Sequence, residues 1–251
     1  MAEIDHADIV VNHKCNMNCQ FCVDKFRGST EDIVDMRKVS SFLLLLQEHT
    51  HVSPKYREDN GPLEVLLLGG EPTLIGVNRL ALFCGMIAGA GFRSVISTNA
   101  RRKDIVKEIL PFFDWVQVAV YSDEEIDFWR SLSTEKINLK LSGDATFTMQ
   151  KLEHFAEYTK DFTRRSITMF FKPNFEQVCP DAEVQKFLDT LSWERIDSYE
   201  YTMYEGVRLK RCIPGVTNIA DEPHIPKLYP NGNYNCNWQN EDHNPYLGEL
   251  K

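Results

Sequence analysis

Short apolar and β-branched runs alternate with longer amphipathic stretches along most of the chain. The runs fall at 7–11 (ADIVV), 63–68 (LEVLLL), 94–98 (SVIST), 115–121 (WVQVAVY), 136–141 (KINLKL) and 167–172 (ITMFFK). Between them, helical periodicity covers 36–48, 77–90, 104–113 and 149–162, and the acidic stretch SDEEIDFWR follows the fourth run. Strand and helix in alternation are the signature of βα repeats and a parallel sheet. Six such repeats predict an α/β protein, a partial (β/α)6 barrel with helices outside, and place its chemistry where strands end and loops begin. After about residue 195 the pattern weakens, and 229–245 is rich in Asn, Pro and Gly. The expected organisation is therefore a barrel core over 1–195 and an irregular C-terminal extension over 196–251, packed on the barrel and not a domain of its own.

Composition narrows this picture. A chain of 251 residues with 43% hydrophobic content can bury the core of one domain. The longest apolar run near a helix, FLLLL at 42–46, is far short of the roughly 20 residues needed to span a bilayer, and no membrane partner is expected. The first residues lack the features of a secretory signal, so a cytoplasmic location is expected. With 28 Lys and Arg against 37 Asp and Glu, the net charge of -9 disfavours a nucleic-acid partner. Seven cysteines without an export signal argue against a disulfide framework and for metal or redox chemistry.

Three of those cysteines, Cys15, Cys19 and Cys22, sit in one eight-residue loop directly after the first strand. Clustered thiolates suit zinc or an iron-sulfur cluster. A structural zinc site needs a fourth ligand, and no second Cys or His pair lies nearby at a familiar spacing. A cubane cluster held by three cysteines leaves one iron open.

The C-x3-C-x2-C loop, with Phe21 just before its last cysteine, resembles the radical S-adenosylmethionine (SAM) superfamily. The resemblance implies a 4Fe-4S cluster on Cys15, Cys19 and Cys22 whose open iron chelates SAM. It also implies a reductant such as flavodoxin or ferredoxin, and reductive cleavage of SAM to methionine and a 5'-deoxyadenosyl radical. Gly69-Gly70-Glu71-Pro72 is similar to the family's GGEP segment, which binds the methionine amino group. Paired glycines allow close approach to the backbone, and Glu71 offers a carboxylate to an ammonium; an ordinary βα turn is the alternative. Ser97 and Asn99, in STN after the third strand, are similar to a segment that hydrogen-bonds the cofactor, although Asn99 could equally turn the chain or cap a helix. Ser122 after the fourth strand matches a ribose-holding position. Arg130 matches a carboxylate-binding arginine of some members, or answers the acidic residues 124–127.

Substrate contacts are expected among His13, Lys25 and Arg27 around the cysteine loop, Lys140 and Lys172 at later strands, and Tyr204. Lys14, Asp144, Asn174, Tyr201 and Glu205 are further candidates. Cys84 lies in an apolar helix and reads as a buried small hydrophobe, which leaves Cys179, Cys212 and Cys236 too few for an auxiliary cluster.

The resemblance spans about residues 7–175 and implies hydrogen abstraction from a substrate followed by rearrangement, elimination or bond cleavage. A small polar substrate is expected, such as a nucleoside, nucleotide or base-derived metabolite, because the barrel begins near residue 7 and the charge is acidic. Rival readings are a peptide-modifying radical enzyme, a non-catalytic iron-sulfur electron carrier or redox sensor, and a zinc protein.

Overall fold

A computed structural model describes residues 2–19, 33–52, 61–143, 146–169, 181–196, 199–212 and 225–235. In chain order the elements are β1 (Ala2–Ile4), β2 (Ala7–Val10), α1 (Met36–His49), β3 (Thr50–Val52), β4 (Glu64–Leu68), a 3-10 turn (Pro72–Ile75), α2 (Val77–Gly89), β5 (Arg93–Thr98), α3 (Lys103–Ile109) and β6 (Trp115–Ala119). They continue as α4 (Asp123–Arg130), β7 (Ile137–Gly143), α5 (Met149–Tyr158), β8 (Arg164–Met169), α6 (Ala182–Leu188), β9 (Glu194–Ile196), β10 (Tyr199–Tyr204), β11 (Val207–Cys212), β12 (Lys227–Leu228) and β13 (Tyr234–Asn235). The protein is α/β, with helices and a mostly parallel sheet. It divides into two compact units, one of residues 1–18, 23–116 and 221–251, the other of 19–22 and 117–220.

In the first unit β12, β2, β4 and β5 lie side by side and parallel, β13 pairs antiparallel with β12, and β1 pairs with β3. Register aligns Ile9, Leu67 and Ile96 in one row, all fully buried. Leu80, Phe83 and Ile87 of α2 and Val39, Phe42 and Leu46 of α1 are buried as well. Local chemistry fixes the helix ends. Asp35 caps α1 by accepting from the Arg37 amide at 2.7 Å. Sequence periodicity carries the third helix to residue 113, but α3 ends at Ile109: Leu110 still has helical φ and ψ, and Pro111 has no N–H with which to extend the hydrogen-bond ladder.

In the second unit β7, β8 and β11 are parallel, and β10 and β9 add antiparallel strands. Thr148 caps α5, and Ser122 caps α4, whose first turn carries Asp123, Glu124 and Glu125 at the positive end of the helix dipole.

Two expectations change. The sixth strand begins three residues early, at Arg164, because the polar RRS segment pairs in register with β7. The stretch from 229, read as irregular, contains part of a short hairpin, with β12 extending the first unit's sheet. A buried ion pair pins it: Lys227, on β12 opposite Asp8 of β2, places Nζ 3.6 Å from the Asp8 carboxylate and donates to the Ile225 carbonyl at 2.9 Å. Two-residue strands have no periodicity to read. Among the described residues no helix is long and apolar enough to cross a membrane.

Candidate functional site

Three neighbouring parallel strands of the first unit, β2, β4 and β5, deliver the segments 12–18, 69–71 and 97–100 to the same end of the sheet. The Gly70 amide donates to the Asn12 carbonyl at 2.9 Å and the Glu71 amide to the Lys14 carbonyl at 2.8 Å. Gly69 has φ +144, and a Cβ there would overlap the Asn12 carbonyl; a Cβ on Gly70 would overlap the Lys14 carbonyl. The paired glycines thus admit the chain's own backbone, the segment leading into the cysteine loop, where close approach by a ligand was expected.

Glu71 is 1% exposed. A carboxylate buried this deeply needs donors, and it has four. Oε1 accepts from the Thr73 amide (3.0 Å), the Thr73 hydroxyl (2.5 Å) and the Thr98 hydroxyl (2.6 Å), and Oε2 accepts from the Asn99 amide (2.8 Å). Its first work is to lock the end of β5 to the turn after β4. The motifs give no separate role to Thr73 or to Thr98, the middle residue of STN; strand alternation sends Thr98 to the side opposite Ser97, which is half-buried.

Asn99 carries the connection onward. Its Nδ2 donates to the Asn16 Oδ1 at 2.7 Å and reaches the Cys15 Sγ at 3.8 Å, and its Oδ1 accepts from the Arg101 amide at 3.1 Å. The Met17 amide also donates to the Cys15 Sγ, at 3.4 Å. N–H donors aimed at a half-buried sulfur suit a metal-bound cysteine. Ala100 has φ +60, a conformation costing a residue with a Cβ roughly 1–2 kcal/mol. The Thr98 hydroxyl holds it by accepting the Ala100 amide at 3.0 Å. His13 is buried and Lys14 exposed.

In the second unit, Ser122 accepts from the Glu125 amide at 3.4 Å and borders a cavity of about 300 Å³. Ser142, Lys151 and His154 also line it, with Asp123 3.0 Å from His154 Nε2. The Arg130 guanidinium meets Asp127, Asp161 (2.7 Å) and the Tyr158 carbonyl. Hydrogen bonding to Asp161 raises Arg130 above its usual range and depresses Asp161, while Asp127 raises Tyr158. Arg130 thus answers one acidic residue of its own helix, Asp127, and one beyond α5, Asp161. Lys140 is half-buried on β7. Tyr204 packs edge-on against Phe187 of α6, centroids 5.1 Å apart, and pairs with fully buried Val207. Strand alternation therefore separates it from Tyr201.

Cys19 is half-buried, Cys212 ends β11, and Cys84 is buried in α2 with its thiol donating to the Phe112 carbonyl at 2.8 Å. Phe21, Cys22, Lys25, Arg27, Asp144, Lys172, Asn174, Cys179 and Cys236 lie outside the described residues. Among the described residues no three His, Cys, Asp or Glu side chains form a metal-binding group. No family model matches the sequence, and no curated protein matches it.

Proposed function

We propose that the protein is a radical SAM enzyme on a partial (β/α)6 barrel, with Cys15, Cys19 and Cys22 holding a 4Fe-4S cluster. One observation carries the reading: the hydrogen-bonded path from Cys15 through Asn99 to Glu71. It joins three motifs distant in sequence, Cys15 and Asn99 being 84 residues apart, at the ends of β2, β4 and β5. An ordinary βα turn at GGEP gives no reason for a buried carboxylate to hold the segment whose asparagine touches the first cysteine.

When bound, the cluster would supply one electron to the sulfonium of SAM, releasing methionine and a 5'-deoxyadenosyl radical. The chain's residues do the positioning. Glu71 fixes the backbone of Thr98 and Asn99, and Gly69 and Gly70 bring the turn against the cysteine segment. Asn99 orients Cys15 and Asn16, and the two N–H donors at the Cys15 sulfur suit a metal ligand. Ser122 is assigned to the ribose hydroxyls and Ser97 to the nucleoside or methionine portion. Arg130 is the weaker cofactor ligand, since binding a carboxylate would require it to leave Asp127 and Asp161.

The substrate is a small polar molecule, and the reductant a flavodoxin or ferredoxin. The test is iron and sulfide analysis after anaerobic reconstitution, with SAM affinity measured by equilibrium dialysis. About four irons per chain are expected, lost when all three cysteines become Ala, and Asn99→Ala should weaken SAM binding while retaining iron. A full cluster in the triple variant would assign the iron to other cysteines; zinc in place of iron would replace the reading altogether.

A further inference from the structure

The sheet of the second unit has two unlike faces. Leu139, Ile167, Leu209 and Val207 point to one side and are fully buried. The alternate residues carry charge and hydroxyls, and register sets them in two adjacent rows. Lys140 of β7 lies beside Ser166 of β8, Arg208 of β11 and Met203 of β10; one step on, Ser142 lies beside Thr168, Lys210 and Tyr201. None of these eight side chains is buried, and Arg208 and Met203 are exposed. The only carboxylate within β7, β8, β10 and β11, Glu200, lies on the other face with Arg211 at 2.8 Å, and the polar face meets its acid at the edge strand, where exposed Glu194 pairs with Tyr201.

The cations are aimed by the sheet. Arg208 stacks over the Tyr201 ring, 4.3 Å from its centroid, and Lys210 Nζ sits 3.6 Å from the centroid of Tyr199 and 5.7 Å from that of Tyr201. Such contacts hold the heads of these long side chains on the polar face of the sheet. Lys140 and Arg208 are two strands apart, about 10 Å at strand spacing, a gap that both side chains can close from opposite sides. Ser166 and Thr168 lie between them.

We propose that this face binds a small phosphorylated molecule, with Lys140, Arg208 and Lys210 neutralising the phosphate and the Ser166 and Thr168 hydroxyls donating to its remaining oxygens. A tetrahedral, multiply charged oxyanion matches three cations and a hydroxyl floor better than a planar carboxylate does. In a chain of net charge -9, a concentrated basic face also selects for a compact anion over a long polyanion. The inference is independent of the proposed radical chemistry, because it rests on the second unit's sheet alone.

The test is calorimetric titration of the full-length protein, without added SAM, using inorganic pyrophosphate as probe and citrate and a single-stranded oligonucleotide as comparators. Pyrophosphate should bind, weaken as salt is raised, and lose roughly tenfold or more in affinity in Arg208→Gln/Lys210→Met, with Lys210→Arg close to wild type. Should the double variant unfold by circular dichroism, exposed Arg208→Gln alone supplies the same comparison with a smaller loss. Unchanged pyrophosphate affinity in the folded variants, no binding by the wild type, or tighter binding of citrate or the oligonucleotide would each overturn the proposal.

Discussion

The two units handle charge in opposite ways. In the first, the charged groups that join the strands are buried: Glu71 accepts four hydrogen bonds, two of them from backbone amides, and Lys227 and Asp8 face each other with almost no exposure. In the second, they remain within reach of water: His154 and Asp123 are each about half exposed, and Arg208 is exposed. Buried and satisfied groups fix geometry, which is what a cofactor cradle requires. Exposed cations on a rigid sheet instead remain able to meet a ligand. Substitutions in the first unit should therefore act mainly through stability, and those in the second through binding.

Lys227→Met gives the largest stability change, about 3 kcal/mol lost in urea unfolding, because it leaves the buried Asp8 carboxylate with His6, 3.4 Å away, as its remaining cationic partner. Adding Asp8→Leu should recover much of that loss; no recovery would mean that the pair does not anchor β12. Gly70→Ala comes next, at about 2–3 kcal/mol, since its Cβ overlaps backbone carbonyls that cannot move without shifting the cysteine segment. Glu71→Gln should cost about 2 kcal/mol, as an amide cannot accept from donors on both sides. If Glu71→Gln leaves stability untouched while abolishing SAM binding, the carboxylate is a ligand first and a lock second. The smallest effect belongs to His154→Ala, at most about 0.5 kcal/mol for a half-exposed pair. A larger loss would erase the contrast between the units.

The strand-helix alternation was legible wherever side chains alternate strongly, as in LEVLLL and SVIST, because burial of one face imposes a period on the sequence. Where pairing rather than burial defines the strand, that signal fails. Arg164 opens β8 with polar residues, and β12 is held by a Lys227–Asp8 pair that no local pattern announces. At the site, the motifs single out Glu71 and Asn99, which the structure joins by a hydrogen bond. They give no separate role to Thr73, Thr98 and Asn16, whose importance comes from partners distant in sequence or from a shared carboxylate. Paired glycines imply room for a ligand, but the group that approaches them is the chain's own backbone at Asn12 and Lys14, a contact distant in sequence. Tyr204 was drawn from an aromatic-rich segment; alternation along β10 puts Tyr201 on the polar face.

The central claim is that the cysteine loop and the segments locked around it support reductive cleavage of SAM. Its most direct test is chromatographic measurement of 5'-deoxyadenosine and methionine formed by anaerobically reconstituted, reduced protein incubated with SAM. The account predicts slow formation of both by the wild type, stimulation by the true substrate, and none by Cys15→Ala despite a folded chain. An intact, reduced cluster that yields no 5'-deoxyadenosine under strong and mild reductants alike would contradict it and leave electron transfer or redox sensing as the better account.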